Sequence, residues 1–217
     1  MKRLSKTLCS SFLASLLFAG ASASAQQSHI TFVVPYSPGG ASDQITRVVA
    51  ERAARELGRT IVVENKPGAA GIVAAQHVLK STPNGDTLLV GSNAPLVINE
   101  GMYDSLAYSP REDFVPVAGL ARTPLVMVVN AEHPANDVKG FVEWAGKQNA
   151  PVAMGSGGNG NITHLAGVYA ANTLGFDVTH VPFQGTAPGV MNLIGGNIDV
   201  MFDTLPSSIA QLDSGRL

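Results

Sequence analysis

Short β-branched runs alternate with helix-period segments through most of this chain, and three of the joints between them are rich in glycine. That alternation constrains the fold more than any residue count, because strands separated by helices pair in parallel and carry ligands at their carboxyl ends. Ile30–Val34 (ITFVV) reads as a buried strand ended by Pro35, and Pro38-Gly39-Gly40 then breaks the chain. From Ser42 the apolar positions Ile45, Val48, Val49, Ala53 and Leu57 recur at helical spacing until Gly58 stops them. A second strand is expected over 60–64, a turn over 65–68, a helix over 71–79 and a third strand over 87–90.

A polar, proline-containing stretch follows, through Pro110. Strands are then expected over 114–120 and 124–129, with a helix over 138–147. The unit recurs as strand 151–154, loop 155–160, helix 162–174, strand 178–181, helix 187–194, strand 198–202 and a short helical segment from Pro206. The fold class is parallel α/β.

The first residues carry Lys2, Arg3 and Lys6 and no acid, then an apolar run from Leu8 to Gly20, then Ala23-Ser24-Ala25. That is the pattern of a secretory signal over residues 1–25, cut near Ala25, and the apolar run is short for a membrane span. Cys9 lies inside it, so the exported chain holds no cysteine and no disulfide. Less those three bases, 11 of the 14 Lys and Arg remain against 16 Asp and Glu, a formal charge of −5. Scattered bases on an acidic chain give no footprint for nucleic acid.

Three loops combine glycine with a helix start. In the first, residues 35–43, glycines allow close backbone approach and the helix N–H groups favour negative charge, so a carboxylate fits. The alternative is a plain turn with Ser42 or Asp43 as helix cap. The second, residues 155–161, satisfies G-x-G-x-x-G between a strand and a helix, the pattern of a dinucleotide site. That site also wants an acid after the next strand, and here Asp177 precedes it, with His180 and Gln184 near the place instead. Ser156, Asn159 and Asn161 suit a small anion better. In the third, residues 183–188, Thr186 as cap and Pro188 in the first turn are ordinary helix punctuation.

Enzyme signatures are sparse: no G-x-S-x-G, no P-loop lysine and no H-E-x-x-H. His29, His77, His133, His164 and His180 lack metal-ligand spacing and read as surface or packing residues. Asp199 reads as a structural cap, while Asp203, at a strand's carboxyl end, is placed to face a cleft. An NAD-dependent oxidoreductase built on the 155–160 loop is the alternative reading, against a binding protein with no cofactor.

The chain resembles the Bug family of periplasmic receptors, the substrate-binding proteins of tripartite tricarboxylate transporters. Five motifs carry the resemblance in order: VPYSPGGASD at 34–43, NKPGAAG at 65–71, YSPREDFVPVAGLARTPLVMVVN at 108–130, GSGGNGNITHLAG at 155–167 and HVPFQGTAPGVMNLIGGNIDVMFD at 180–203. The resemblance implies a two-lobed, periplasmic-binding-protein-like fold (type II-like), with a first lobe over 26–122 and a second over 123–217. It implies a periplasmic monomer that closes on a small carboxylate, meets a membrane permease transiently and catalyses nothing. By position it points to Tyr36, Ser37, Gly39, Gly40, Asp43, Ser92 and Asn93 from the first lobe. From the second it points to Ser156, Gly157, Asn159, Asn161, Thr186 and Asp203. Many relatives carry a hydroxyl residue and a histidine where this chain has Ala94-Pro95, which implies a less polar wall. Relatives also continue further, crossing back to finish the first lobe, so that lobe is expected to be incomplete here.

Overall fold

The computed structural model describes residues 29–217. The export signal read at residues 1–25 lies outside the described residues. Among them are two sheets, each with its own helices. The first has strand order β2-β1-β3, with β1 (Ile30–Val34) pairing in parallel to both β2 (Ile61–Asn65) and β3 (Thr87–Leu89). The second has order β4-β7-β5-β6. There β5 (Val152–Ser156) runs parallel to β6 (Val178–Pro182) and β7 (Val200–Thr204), while β4 (Leu125–Val128) runs antiparallel to β7.

Helix α1 (Ala41–Leu57) follows β1 directly and ends on Gly58 in the left-handed conformation, as the sequence predicts. The apolar positions that mark this helix are not the ones facing the sheet. Buried in it are Ala41, Asp43, Thr46 and Ala50, whereas Val48 is 70% and Leu57 57% exposed. Small residues let α1 lie close on β1 and β2, and Ile45, Val48 and Val49 instead line an outer groove with Leu120 and Pro206. Helix α2 (Ile72–Leu79) buries Ala74 and Ala75 in the same way. Between Val90 and Pro110 the chain is more ordered than its polarity suggests: a π-helical turn at Ala94–Ile98 runs into α3 (Asn99–Met102).

The strand expected over 114–120 does not form. Val115 is 88% and Val117 77% exposed, and no described strand runs beside them to supply ladder hydrogen bonds.

The second sheet is packed on both faces. On one, α4 (Val138–Ala145) and α5 (Ile162–Leu174) cover a cluster of Phe141, Ala145, Val152, Met154, Ala171, Phe176 and Val200. His133 joins it as a packing residue, stacked 5.3 Å from Phe141. On the other, α6 (Thr186–Ile194) closes Val128, Val190, Leu193, Ile198 and Met201. Asp199 ties the strands together by accepting Ala153 N–H at 2.8 Å, the structural role read for it. The last helix, α7 (Leu205–Asp213), leaves β7 and packs against α1.

Candidate ligand-binding cleft

All three glycine loops leave the carboxyl ends of strands, and the two sheets bring the first and third face to face. Ser37 N–H donates to Gln184 O at 2.9 Å. A Cβ on Gly40 would stand 3.1 Å from Thr186 Oγ1 and 3.8 Å from the backbone nitrogens of Thr186 and Ala187. The start of α1 therefore meets the start of α6. Their N-caps are Gly40 and Gly185, neither with a side chain that caps the helix. Ser42, Asp43 and Thr186, read as possible caps, lie one to three positions inside their helices. The first N–H groups of a helix have no intrahelical acceptor, and each N-terminus carries about half a positive charge. Two such ends brought together favour an anion beside them.

Asp43 shapes the first loop and offers no free carboxylate oxygen at the contact. It is 3% exposed, accepts Gly39 N–H at 2.9 Å and Asn65 Nδ2–H at 2.9 Å, and receives Arg47 on both oxygens at 2.9 Å. Burial pushes its pKa up, but Arg47, the Gly39 N–H and Asn65 outweigh it and the net shift is downward. Asn65 also donates to Tyr36 O at 3.0 Å, so one polar knot holds the whole turn. Sequence reasoning passed over Arg47 and Asn65; the i, i+4 spacing of Asp43 and Arg47 was the available signal.

Tyr36 is 8% exposed, and its phenol lies 2.8 Å from Ser92 Oγ. Burial raises its pKa, while hydrogen bonds to Ser92 and Asn161 pull the other way. Its hydroxyl thus joins the end of β3 to the second glycine loop. Asn93 stands exposed beside Ser92, and Ala94 and Pro95 are buried. Met102 Sδ fills the space where a side chain on Gly160 would stand, an apolar contact between the two halves.

The second glycine loop closes on itself. Gly157 N–H donates to Thr163 Oγ1 (2.9 Å), Gly158 N–H to Ser156 Oγ (3.1 Å) and Gly160 N–H to His164 Nδ1 (3.2 Å). Asn161 caps α5 by accepting Thr163 N–H at 3.0 Å. The glycine N–H groups that would cradle a pyrophosphate are thus engaged within the loop, against the dinucleotide reading. Ser156 is fully buried and Asn159 is exposed at the tip. His164 and His180, read as surface or packing residues, pack as a stacked pair against this loop, with His180 Nε2 2.6 Å from Ser156 Oγ. No spacing signal could have found them, because the packing of α5 on the sheet brings them together.

Asp203 is fully buried beneath the start of α7. It accepts from Thr204 N–H at 2.7 Å and from the hydroxyls of Ser207 and Ser208. Burial raises its pKa, and the bonds from Ser207, Ser208 and Thr204 only partly oppose this. Among the described residues no group of three or more His, Cys, Asp or Glu could hold a metal ion, and no helix is long and apolar enough to cross a membrane.

Comparison with known proteins bears on the fold and the family. A protein of Pseudomonas sp. (strain P51), described as a UPF0065 protein in the tcbD-tcbE intergenic region, is 34% identical over 178 residues, 82% of this chain and 53% of its own. The solved structure of R. palustris Rpa4515 with adipate is 30% identical with a TM-score of 0.83, covering 86% of this chain and 62% of that one. MatC (Rpa3494) from Rhodopseudomonas palustris with bound malate is 31% identical with a TM-score of 0.79, covering 86% and 64%. The chain thus spans roughly half to two thirds of the length of these proteins. The family described as the tripartite tricarboxylate transporter family receptor, TctC, matches residues 45–217, and the chain belongs to it.

Proposed function

We propose that this chain captures a small carboxylate between its two lobes for delivery to a membrane permease, and that it makes and breaks no bonds. The observation that carries the reading is the meeting of two helix N-termini, α1 and α6, each with a glycine N-cap, where the loops of the two sheets come into contact. Each end favours a nearby anion by about 0.3–1 kcal/mol, and more where partly buried. Recognition by backbone groups and neutral side chains is consistent with the adipate and malate held by Rpa4515 and MatC.

In this reading Tyr36, Ser37, Gly39, Gly40, Ser92, Asn93, Gly157, Asn159, Asn161 and Thr186 border the ligand. Asp43, Ser156 and Asp203, whose side chains are already engaged, brace the loops that do so. The division into lobes falls near residue 122, between the strands of the two sheets. Export to the periplasm follows from the residue 1–25 pattern, and the receptor works there as a monomer.

A thermal-unfolding screen against mono-, di- and tricarboxylates tests the proposal, with malate and adipate first and NAD as control. A ligand at about 100 times its Kd stabilises a binder by ~2.7 kcal/mol. A shift with carboxylates and none with NAD is expected; a melt moved by no carboxylate would sink the reading.

A further inference from the structure

The rings of His164 and His180 stack 3.7 Å apart at an interplanar angle of 13°. They come from different elements, His164 from the first turn of α5 and His180 from the middle of β6, opposite Met154. Each is tied to the second glycine loop. His164 Nδ1 accepts Gly160 N–H at 3.2 Å, so that nitrogen carries no proton. His180 Nε2 lies 2.6 Å from Ser156 Oγ, which in turn accepts Gly158 N–H at 3.1 Å.

A proton on His164 Nδ1 would set two donors against each other. Charge on both rings would put like charges in stacking contact. The surroundings offer little to offset it. Strand β5 and helices α5 and α6 carry no acid, and Asp177 precedes β6. Glu100, on the segment facing Gly160, is 3.8 Å from Arg111, and Asp43 and Asp203 are engaged as described. Tyr36 reaches toward the loop as a neutral phenol, its pKa raised by burial. Burial lowers the pKa of His164, and burial together with the neighbouring ring lowers that of His180 from 6.5 to about 4.

Resting on the capture reading above, we propose that His164 and His180 are positioning residues for the 157–160 loop, holding its closed shape only as neutral imidazoles, so that acid loosens the grip on the carboxylate. The sign follows from linkage. The closed loop binds fewer protons than an open one with ordinary histidines, so its advantage is complete above about pH 6.5 and is lost progressively down to about pH 4.

Affinity for malate and for adipate is measured by calorimetry on the full chain at pH of about 7.5 and about 5.5. The same is done for the double variant His164→Asn, His180→Gln, whose amide oxygens accept hydrogen bonds without titrating. The native protein is expected to lose about tenfold in affinity over that interval beyond whatever the double variant loses. Parallel losses in both proteins overturn the inference and leave the capture reading standing. A native protein that binds neither acid at the higher pH defeats the capture reading and the inference with it. Should the variant not fold, NMR titration of the native histidines decides: saturating malate is expected to lower both apparent pKa values, and unchanged values overturn the proposal.

Discussion

Ser37 N–H donates to the carbonyl oxygen of Gln184 at 2.9 Å, a backbone hydrogen bond from the loop after β1 in one sheet to the loop after β6 in the other. The bond exists because the next residue is Gly185. Its φ is 120°, and a Cβ there would stand 3.1 Å from Ser37 N and 3.2 Å from Tyr36 Cβ. The two loops meet as bare backbone.

Gly185→Ala is therefore expected to hold the lobes apart. Backbone strain at such a position costs about 1–3 kcal/mol, and the added methyl meets the first loop as well. Affinity for malate or adipate, read by calorimetry, should fall at least about tenfold, the equivalent of 1.4 kcal/mol. Scattering should report a more open molecule with the helical circular dichroism retained. Native affinity in this variant would mean the loop contact plays no part in capture.

Tyr36→Phe removes the hydroxyl that Ser92 Oγ meets at 2.8 Å and leaves the buried ring in place. One neutral hydrogen bond contributes about 0.5–1.5 kcal/mol, so ligand affinity should drop by about two- to tenfold. A stability loss of that size with unchanged affinity would assign Tyr36 to packing alone.

The α/β alternation was legible because periods of 2 and 3.6 leave different marks, and the glycine loops were legible because each interrupts such a mark. Packing direction was not. Ile45, Val48 and Val49 announce α1, yet Ala41, Thr46 and Ala50 meet the sheet, since close approach selects small residues over apolar ones. The 114–120 segment has the composition of a strand, but composition supplies no partner edge. Likewise the roles of Asp43 and His180 rest on contacts from other elements, Asn65 on β2 and Ser156 on β5, which no local pattern records.

Asp43→Asn should loosen the first loop by removing the charge that Arg47 grips on both oxygens. Because Arg47 is half exposed, solvent weakens the pair, and a loss of about 1–2 kcal/mol is expected by urea denaturation at neutral pH. The folded pKa lies below the ordinary 3.8, so the native contribution is present above that value and disappears as pH falls through the lower folded one. The variant's acid limb should accordingly be shallower. Equal acid limbs would place the acid sensitivity elsewhere.

Asp203 has the opposite sign. Burial raises its pKa, so between 3.8 and the raised value the folded protein keeps a proton that the unfolded chain has released. Stability from this group is therefore lost as pH rises through the folded pKa and regained on acidification. Asp203→Asn should cost little at neutral pH, since an amide stays neutral and the rotatable hydroxyls of Ser207 and Ser208 can donate to or accept from it. Asp203→Ala leaves the Ser208 hydroxyl and Thr204 N–H without their acceptor in a buried site, while Ser207 keeps Thr204 O at 2.7 Å, for a loss of about 2–4 kcal/mol. Carboxylate affinity should hold within about twofold in the Asn variant, because binding energy lost with a bracing residue is the energy of its own hydrogen bonds, which the amide largely keeps. Equal destabilisation by Asn and Ala would show that the charge itself is required, and a large affinity loss in a stable Asn variant would place Asp203 in contact with the ligand.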